Sequence, residues 1–231
     1  MATDTKHIAT RFLIVGENRD FWMTNLTKYL RGHTHEFLDH GNSAKIKLLE
    51  KLASGLYTCC IVMNIGSETM DEDWFSASDK QLKQALTSFT SSGHRLIFHG
   101  EGKKLVKIFK DWFGKPWNFT GDWYRRTTHD LQTAAQIPAL IKLTLPLKYN
   151  VKACMLSNVD ATDRVYCTAE GAMVQSLVCM PGFNGTTLTS GLCPVALSSF
   201  GNGKLGFIGD VNGEHETVKV MIALGLSEGC A

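Results

Sequence analysis

The most strand-like segment of the chain is Tyr57-Thr-Cys-Cys-Ile-Val-Met-Asn-Ile65, which is apolar almost throughout until Asn64. An apolar run of this length is typical of a parallel strand that is buried on both faces of a sheet. Parallel strands must be joined by crossovers, which are usually helices. Amphipathic helical spacing flanks the segment on both sides, over residues 43–56 and residues 82–89. The centre of the chain therefore predicts an alternating strand–helix fold.

The same alternation extends outward through the first half of the chain. Short apolar runs predict strands at Arg11–Val15, Glu36–Asp39 and His94–Phe98, and each is followed by helical spacing that ends near a glycine. The helix after the first strand is expected to begin at Asp20 and to stop at Gly32. Right-handed crossovers between parallel strands place helices on both faces of a sheet. We therefore expect a three-layer α/β/α sandwich with a flavodoxin-like central parallel sheet.

The second half of the chain reads as strands joined by polar turns, with one helix at the end. The Asn202-Gly203 pair favours a tight hairpin turn. This half predicts an antiparallel extension of the same sheet, and because no linker of Pro, Gly and Ser separates the halves, residues 1–231 are expected to form a single domain. The elements predicted here are strands at Leu147–Met155, Arg164–Thr168, Ala172–Cys179, Pro194–Phe200 and Lys204–Ile208, and a helix at Glu214–Leu224.

Composition excludes several classes of protein. The 231 residues are 44% hydrophobic and carry a net charge of +2, which excludes a disordered chain and gives no electrostatic sign of a nucleic-acid or membrane partner. No apolar run is long enough for a signal peptide or a membrane span. The seven cysteines are odd in number and lack C-x-x-C spacing, which indicates reduced thiols in a cytoplasmic protein. We expect a small-molecule substrate and no cofactor or metal, and the sequence is compatible with a homodimer.

Polar residues follow four of the predicted strands. In open parallel sheets, ligands bind beyond the carboxyl ends of the strands, so these loops should converge on one rim. Polar turn residues that merely cap strand ends are an equally good explanation for any one loop. The binding candidates in these loops are Glu17, Asn18, Asn64, Asp210 and Asn212, and the catalytic candidates are His99, Glu101 and His215.

The loop His99-Gly100-Glu101-Gly102 places a carboxylate between two glycines at a strand-to-helix junction. Small residues on either side are what a sharp nucleophile elbow requires, because larger side chains would clash there. Glu101, or His99 in another register, would be the exposed residue. The alternative is that Glu101 is an ordinary carboxylate in the first turn of a helix.

A second concentration of functional residue types follows the helix that ends at Gly114. Aromatic and cationic side chains of this kind could close one side of a pocket and pair with an acidic or planar ligand. The alternative is a long connection held in place by buried tryptophans. The binding candidates are Trp117, Trp123, Tyr124, Arg125 and Arg126, and His129 is a further catalytic candidate.

The strand–helix order, the elbow at residues 99–102 and the ending Gly203-Lys-Leu-Gly-Phe-Ile-Gly-Asp-Val-Asn-Gly-Glu214 resemble the class I glutamine amidotransferase-like superfamily. Within it, the trehalose-utilisation (ThuA-like) proteins and fungal relatives are the most similar branch. The resemblance implies the fold predicted above. It does not imply glutamine hydrolysis, because amidotransferases carry a cysteine at the elbow, this elbow has none, and His215 between Glu214 and Glu216 cannot complete a triad without it.

These observations favour an enzyme that uses general acid–base chemistry, of isomerase, lyase or hydrolase type, on a sugar-derived or carbonyl-bearing metabolite and without amidotransferase activity. A carboxylate in a partly apolar pocket has a raised pKa, which suits proton transfer near neutral pH. The alternative is a non-catalytic ligand-binding or scaffold protein that kept the fold. A metal site built from the same His, Glu and Asp residues is a weaker option, because their spacings match no compact ligand motif.

Overall fold

The computed structural model describes residues 10–39, 43–65, 76–100, 103–120, 124–175 and 186–226, without the side chains of residues 64, 65 and 103. The strands are β1 (Arg11–Gly16), β2 (Thr34–Asp39), β3 (Cys59–Ile65), β4 (Arg95–Gly100), β5 (Asn118–Phe119), β6 (Arg125–Leu131), β7 (Lys148–Ala153), β8 (Leu156–Ser157), β9 (Arg164–Thr168), β10 (Val195–Phe200) and β11 (Gly203–Ile208). The helices are α1 (Arg19–Leu26), α2 (Ala44–Ala53), α3 (Lys80–Ser91), α4 (Lys103–Phe113), α5 (Ala139–Lys142) and α6 (His215–Leu226).

Nine strands form one mixed sheet in the order β2-β1-β3-β4-β11-β10-β9-β6-β7. The pairs from β2 to β11 are parallel, and the pairs from β11 to β7 are antiparallel. The chain is therefore a mixed α/β protein, and the predicted antiparallel extension in the second half is confirmed. A tight hairpin turn joins β10 and β11 as predicted, but its turn residues are Gly201 and Asn202, and Gly203 already belongs to β11.

The core lies on both sides of this sheet. Along β1, Phe12 and Ile14 belong to one buried cluster, which includes residues of α1 and α6, while Leu13 and Val15 belong to another, which includes residues of α2, α3 and α4. Side chains alternate across a strand, so both faces of β1 are covered. This explains why the strands of the parallel half are apolar without interruption.

The antiparallel half of the sheet curls back toward its parallel half. The amide of Cys154 donates to the carbonyl of Gly209 at 2.8 Å, and the amide of Val211 donates to the carbonyl of Lys152 at 3.0 Å. The chain just after β11 thus pairs with the end of β7, which is the last strand in the sheet order. This closure brings residues from distant strands of the sheet to one place, the carboxyl end of β11.

Several element boundaries differ from the sequence predictions. Residues 125–131 form a strand of the main sheet instead of part of a long connection, and α1 ends at Leu26, well before Gly32. The predicted strand at 172–179 is represented in the described residues by an isolated bridge between Met173 and Thr187. Strand β6 was missed because its sequence, RRTTHDL, has a single apolar residue, so its burial leaves no hydrophobic pattern. None of the helices described is long and apolar enough to cross a membrane.

Candidate functional site

The candidate site lies beyond the carboxyl ends of the neighbouring parallel strands β4 and β11. His99 of β4 is in register with Ile208 of β11, so Asp210 follows just past the end of the sheet. Helix α6 begins five residues after Asp210. The strand ends and the start of α6 together form the rim on which the sequence analysis expects ligands to bind.

Asp210 is buried and organises the loop that leads into α6. Its Oδ1 accepts a hydrogen bond from the amide of Asn212, and its Oδ2 accepts one from the amide of Glu214, each at 2.8 Å. The hydroxyl of Thr217 also donates to Oδ2, and the hydroxyl of Tyr149 lies against that of Thr217. Asp210 therefore fixes the loop, because it accepts from the amide that directly precedes α6 and from a hydroxyl in the first turn of α6.

Two glycines allow this loop to pack closely against neighbouring segments of the chain. A Cβ at Gly209 would overlap the carbonyl oxygen of Cys154, so only glycine permits the close pairing with the end of β7. Gly213 has φ +67°, and a Cβ there would press on the rings of Phe21 and Trp22. The loop therefore packs directly on the first turn of α1.

Glu214 is the most strongly perturbed carboxyl group on the rim. Its Oε1 accepts hydrogen bonds from the guanidinium of Arg126 and, at 3.3 Å, from the side-chain amide of Asn212. Its Oε2 is buried and has no hydrogen-bond donor among the described residues. Burial, together with contact with the Asp210 carboxyl, raises the pKa of Glu214 to about 7, although the Arg126 guanidinium opposes the shift. A carboxyl group with this pKa exchanges its proton near neutral pH.

Arg126 joins Glu214 to a group of uncharged polar side chains. One of its guanidinium nitrogens donates to Glu214 and another to the amide oxygen of Asn150, at 3.0 Å. The amide nitrogen of Asn150 in turn donates to Thr128 at 2.9 Å and to Gln175 at 2.7 Å. This arrangement offers a cation, two amides and a hydroxyl beside the acidic pair, and such groups can hold a polyhydroxylated or anionic molecule.

His99 lies at the inner side of the same rim. Its ring is 3% exposed and packs edge-on against the ring of Trp22, with 5.1 Å between the centroids. Burial lowers the pKa of His99 to about 4, and the negative charge of Glu214 offsets part of that effect. The imidazole is therefore neutral at physiological pH, and it interacts electrostatically with Glu214.

The other catalytic candidates lie apart from this group or outside the described residues. His129 is completely buried in β6, where it pairs in register with Tyr149 and Thr168, and its ring nitrogens have no hydrogen-bond partner among the residues described. Burial lowers the pKa of His129 to about 4. His215 is exposed, and its Nε2 lies 2.7 Å from the hydroxyl of Tyr29. Glu101 lies outside the described residues.

The remaining binding candidates are distributed over several places. Asn18 takes a left-handed conformation just before α1, which begins there and not at Asp20, and Glu17 is half-buried beside it. Trp117 is buried in the core against Phe109 and is thus a packing residue. Trp123 lies outside the described residues, and so does the side chain of Asn64, whose backbone belongs to β3.

Tyr124 and Arg125 lie at the start of β6, next to Arg126. The ammonium group of Lys152 lies 4.1 Å from the centroid of the Tyr124 ring, which is a cation–π contact. Of the predicted site residues, the structure thus brings together Arg126, Asp210 and Asn212, with His99 close by.

Sequence reasoning missed the two residues that complete the site. Glu214 belongs to the polar loop expected on the rim and to a C-terminal Glu-His-Glu run, but it is not among the predicted catalytic or binding residues, and Asn150 gives no signal within its strand. The spacing of Asp210 and Glu214, four residues apart across a glycine turn, was the available sign that two carboxyl groups meet. No local pattern shows that Arg126, 88 residues earlier, is their partner.

A separate open groove of about 510 Å³ lies between α2 and α3. Its lining includes Leu49, Gln84 and His94. His94 precedes β4, so this groove is at the amino end of the strand, opposite the candidate rim, and contains none of the predicted site residues. In the part of the chain that the structure describes, no group of three or more His, Cys, Asp and Glu side chains is arranged to hold a metal ion.

No protein-family model matches the chain, and no curated protein matches it. Among solved structures it is similar to a beta-galactosidase from Bacillus circulans sp. alkalophilus, at 9% identity and a TM-score of 0.48 over 91% of this chain. It is also similar to an exo-beta-1,4-mannosidase from Opitutaceae bacterium strain TAV5, at 9% identity and a TM-score of 0.44 over 96% of this chain. The chain spans 30% and 37% of the length of those two chains.

The resemblance to the class I glutamine amidotransferase-like superfamily, and to its ThuA-like branch, is wrong. No protein-family model supports it. The resemblance relied on the strand–helix order and on two short motifs, at residues 99–102 and 203–214. Glycine-rich turns of this kind serve a general steric need at the ends of strands, as Gly209 and Gly213 show, and so they carry little information about family.

Proposed function

We propose that the protein is a small-molecule enzyme that uses general acid–base chemistry, with Glu214 as the group that transfers the proton. The observation that carries this proposal is the pair of carboxyl groups Asp210 and Glu214, of which Glu214 has a pKa near 7. Because Asp210 already accepts three hydrogen bonds, the proton of the pair belongs on Glu214. Two carboxyl groups with different environments and different protonation states are a frequent basis for acid–base catalysis.

The proposed substrate is a sugar-derived or carbonyl-bearing metabolite, and the reaction is of isomerase, lyase or hydrolase type. Amide, hydroxyl and guanidinium groups around Arg126 match a molecule with several oxygen atoms. Neutral His99 would assist by hydrogen bonding, and Glu101, two residues beyond it, stays a candidate for a second acid or base. The flavodoxin-like three-layer arrangement, in which such a rim is open to ligands, is part of the same proposal.

The test is a substrate screen with the wild-type protein and three variants. Aldoses, ketoses, sugar phosphates and p-nitrophenyl glycosides cover the proposed chemistry. Glu214→Gln should lower kcat by about 100-fold or more, which is the range expected for a general acid or base. Glu216→Gln removes an exposed carboxylate from the same helix turn and should keep full activity. Glu101→Gln tests the second candidate, and full activity of Glu214→Gln on a confirmed substrate contradicts the proposal.

A second candidate function is ligand binding without catalysis. The observation that favours it is the structural role of Asp210, because its Oδ2 accepts the hydrogen bonds that hold the start of α6. If the protein only binds its ligand, that ligand should raise the melting temperature of the wild-type protein and of Glu214→Gln alike, and neither should show turnover. If the protein is an enzyme, the wild type should turn over a substrate and Glu214→Gln should lose this activity.

The homodimer also stays a proposal, and a surface patch supports it. Leu140, Leu143 and Leu147 are about 80% exposed and lie just before strand β7, the last strand in the sheet order. Exposed leucines beside a terminal strand are a common basis for association. Light scattering of the wild-type protein and of Leu143→Glu would show whether a dimer exists and whether this patch holds it.

A further inference from the structure

We infer that the substrate carries a carboxylate or phosphate group, that this group replaces Glu214 on Arg126, and that Glu214 takes up a proton as it is displaced. The inference rests on the proposed function, since it names the substrate class of the same site. It also gives substrate binding a second role, because the displaced Glu214 then holds the proton that a general acid donates.

The charges of the site support this exchange. Asp210 and Glu214 are two acids in contact, and the Arg126 guanidinium binds one of them. If both acids are ionised, the group of three carries one negative charge, and if Glu214 is protonated the group is neutral. The neutral form leaves Arg126 without an ionised carboxylate in direct contact, because the ion pair that the described residues show for Arg126 is the one with Glu214. A guanidinium in that state binds carboxylate and phosphate oxygens in two-point geometry.

The geometry gives Glu214 a partner for the proton once it no longer pairs with Arg126. Its Oε2 is buried and has no donor among the described residues, and the Asp210 carboxyl is in contact with the same side chain. A proton on Glu214 turns this contact between two acceptors into a hydrogen bond. The overall step is balanced: the ligand anion and one proton from solvent enter, and the Arg126–Glu214 ion pair becomes an Arg126–ligand pair beside a neutral Glu214.

The surroundings of Glu214 contain the other groups that could affect this exchange. Tyr149 of β7 and His99 of β4 interact electrostatically with it, and both are neutral at physiological pH because burial raises the pKa of Tyr149 and lowers that of His99. On its own element, His215 contacts Tyr29 and Glu216 is exposed. Proton uptake on ligand binding is therefore expected at Glu214.

The position of Arg126 also suits a ligand that is more than a simple anion. The side chains of Arg126 and Glu214 are 16% and 18% exposed, so the ion pair is partly accessible from solvent. The other guanidinium nitrogen contacts Asn150, which connects to the exposed Gln175. A sugar acid or sugar phosphate could thus place its charged group on Arg126 and its hydroxyl groups on these amides.

The experiment is calorimetric titration of the whole chain with four probes: D-glucuronate, D-glucose 6-phosphate, sulfate and the neutral control D-glucose. Titrations in two buffers of different ionisation enthalpy measure the protons taken up. The wild-type protein should bind at least one of the anions more tightly than glucose, and its affinity should fall tenfold for each pH unit above about 7. Proton uptake should approach one per anion in that range. Glucuronate and the sugar phosphate distinguish a carboxylate from a phosphate ligand, and sulfate shows whether the charge alone is sufficient.

Three variants separate this inference from a general charge effect. Glu214→Gln should bind the same anion with an affinity that no longer depends on pH and without proton uptake, whereas Glu216→Gln should behave as the wild type. Arg126→Gln should lose the preference for anions over glucose. The inference is overturned if no anion binds better than glucose at millimolar concentrations, or if anion affinity of the wild type is independent of pH. These are binding measurements, so they can fail while Glu214 still proves essential for turnover, and they can succeed in a protein that has no turnover.

Discussion

Glu214 provides the sharpest prediction on stability, because its pKa is far from the ordinary value. In the folded protein burial and Asp210 raise the pKa from 4.5 to about 7. Between these two values the folded chain holds a proton that the unfolded chain has lost, so stability falls as the pH rises through this range and levels off above about 7. A difference of this size corresponds to about 3 kcal/mol, which is an upper value because the unfolded state keeps some charge interactions.

The assay is urea unfolding of the wild-type protein and of Glu214→Gln between about pH 5 and about pH 9. Glutamine can donate to Asp210 and accept from Arg126, but it never ionises. The variant should therefore gain stability relative to the wild type by up to about 3 kcal/mol as the pH rises from 5 to 8. Glu216→Gln, on the exposed face of the same turn, should show no such pH-dependent gain. A constant difference between Glu214→Gln and the wild type over this range would refute the reasoning.

Three further predictions concern the close packing at Gly209, the cap of α3 and the burial of Cys59. Gly209→Ala should cost about 1–3 kcal/mol in urea unfolding, because its Cβ would overlap the carbonyl of Cys154, and unchanged stability would show that the two segments can separate freely. Asp79→Ala should cost about 1 kcal/mol, because Asp79 caps α3 by accepting from the amides of Gln81 and Leu82, and a smaller effect than that of an exposed Asp→Ala control would exclude the cap. Burial raises the pKa of the Cys59 thiol to about 12, so Ellman's reagent should modify Cys59 only after unfolding, and peptide mapping that finds it modified in the native protein would contradict its burial.

The sequence was a good guide where burial leaves a hydrophobic pattern. The apolar runs of β1, β3 and β4 could be recognised because both faces of these strands are covered. The order of strand and helix then predicted the parallel half, and the turn at Asn202-Gly203 predicted the hairpin of β10 and β11. Residues beyond the strand ends, such as Asp210 and Asn212, followed from the same topological rule.

The rest of the site depends on contacts between distant parts of the chain. Strand β6 buries Thr127 and His129 instead of aliphatic side chains, so no apolar alternation marked it. The curl that pairs the end of β7 with residues 209–211 places Arg126 beside Glu214, and neither residue has a local signal of that contact. Similar short motifs occur wherever strands end in tight glycine turns, which is why the family resemblance did not hold.

The measurement that tests the account most directly is the titration of the Glu214 carboxyl group itself. Carbon-13 NMR of protein labelled at the glutamate side-chain carboxyl carbons, with Glu214→Gln to assign the signal, reports its protonation in the folded chain. We expect a midpoint near 7, and a higher midpoint when an anion that binds Arg126 is present. A midpoint near the ordinary 4.5, unchanged by anions, would contradict both the proposed acid–base role and the proton-linked exchange on Arg126.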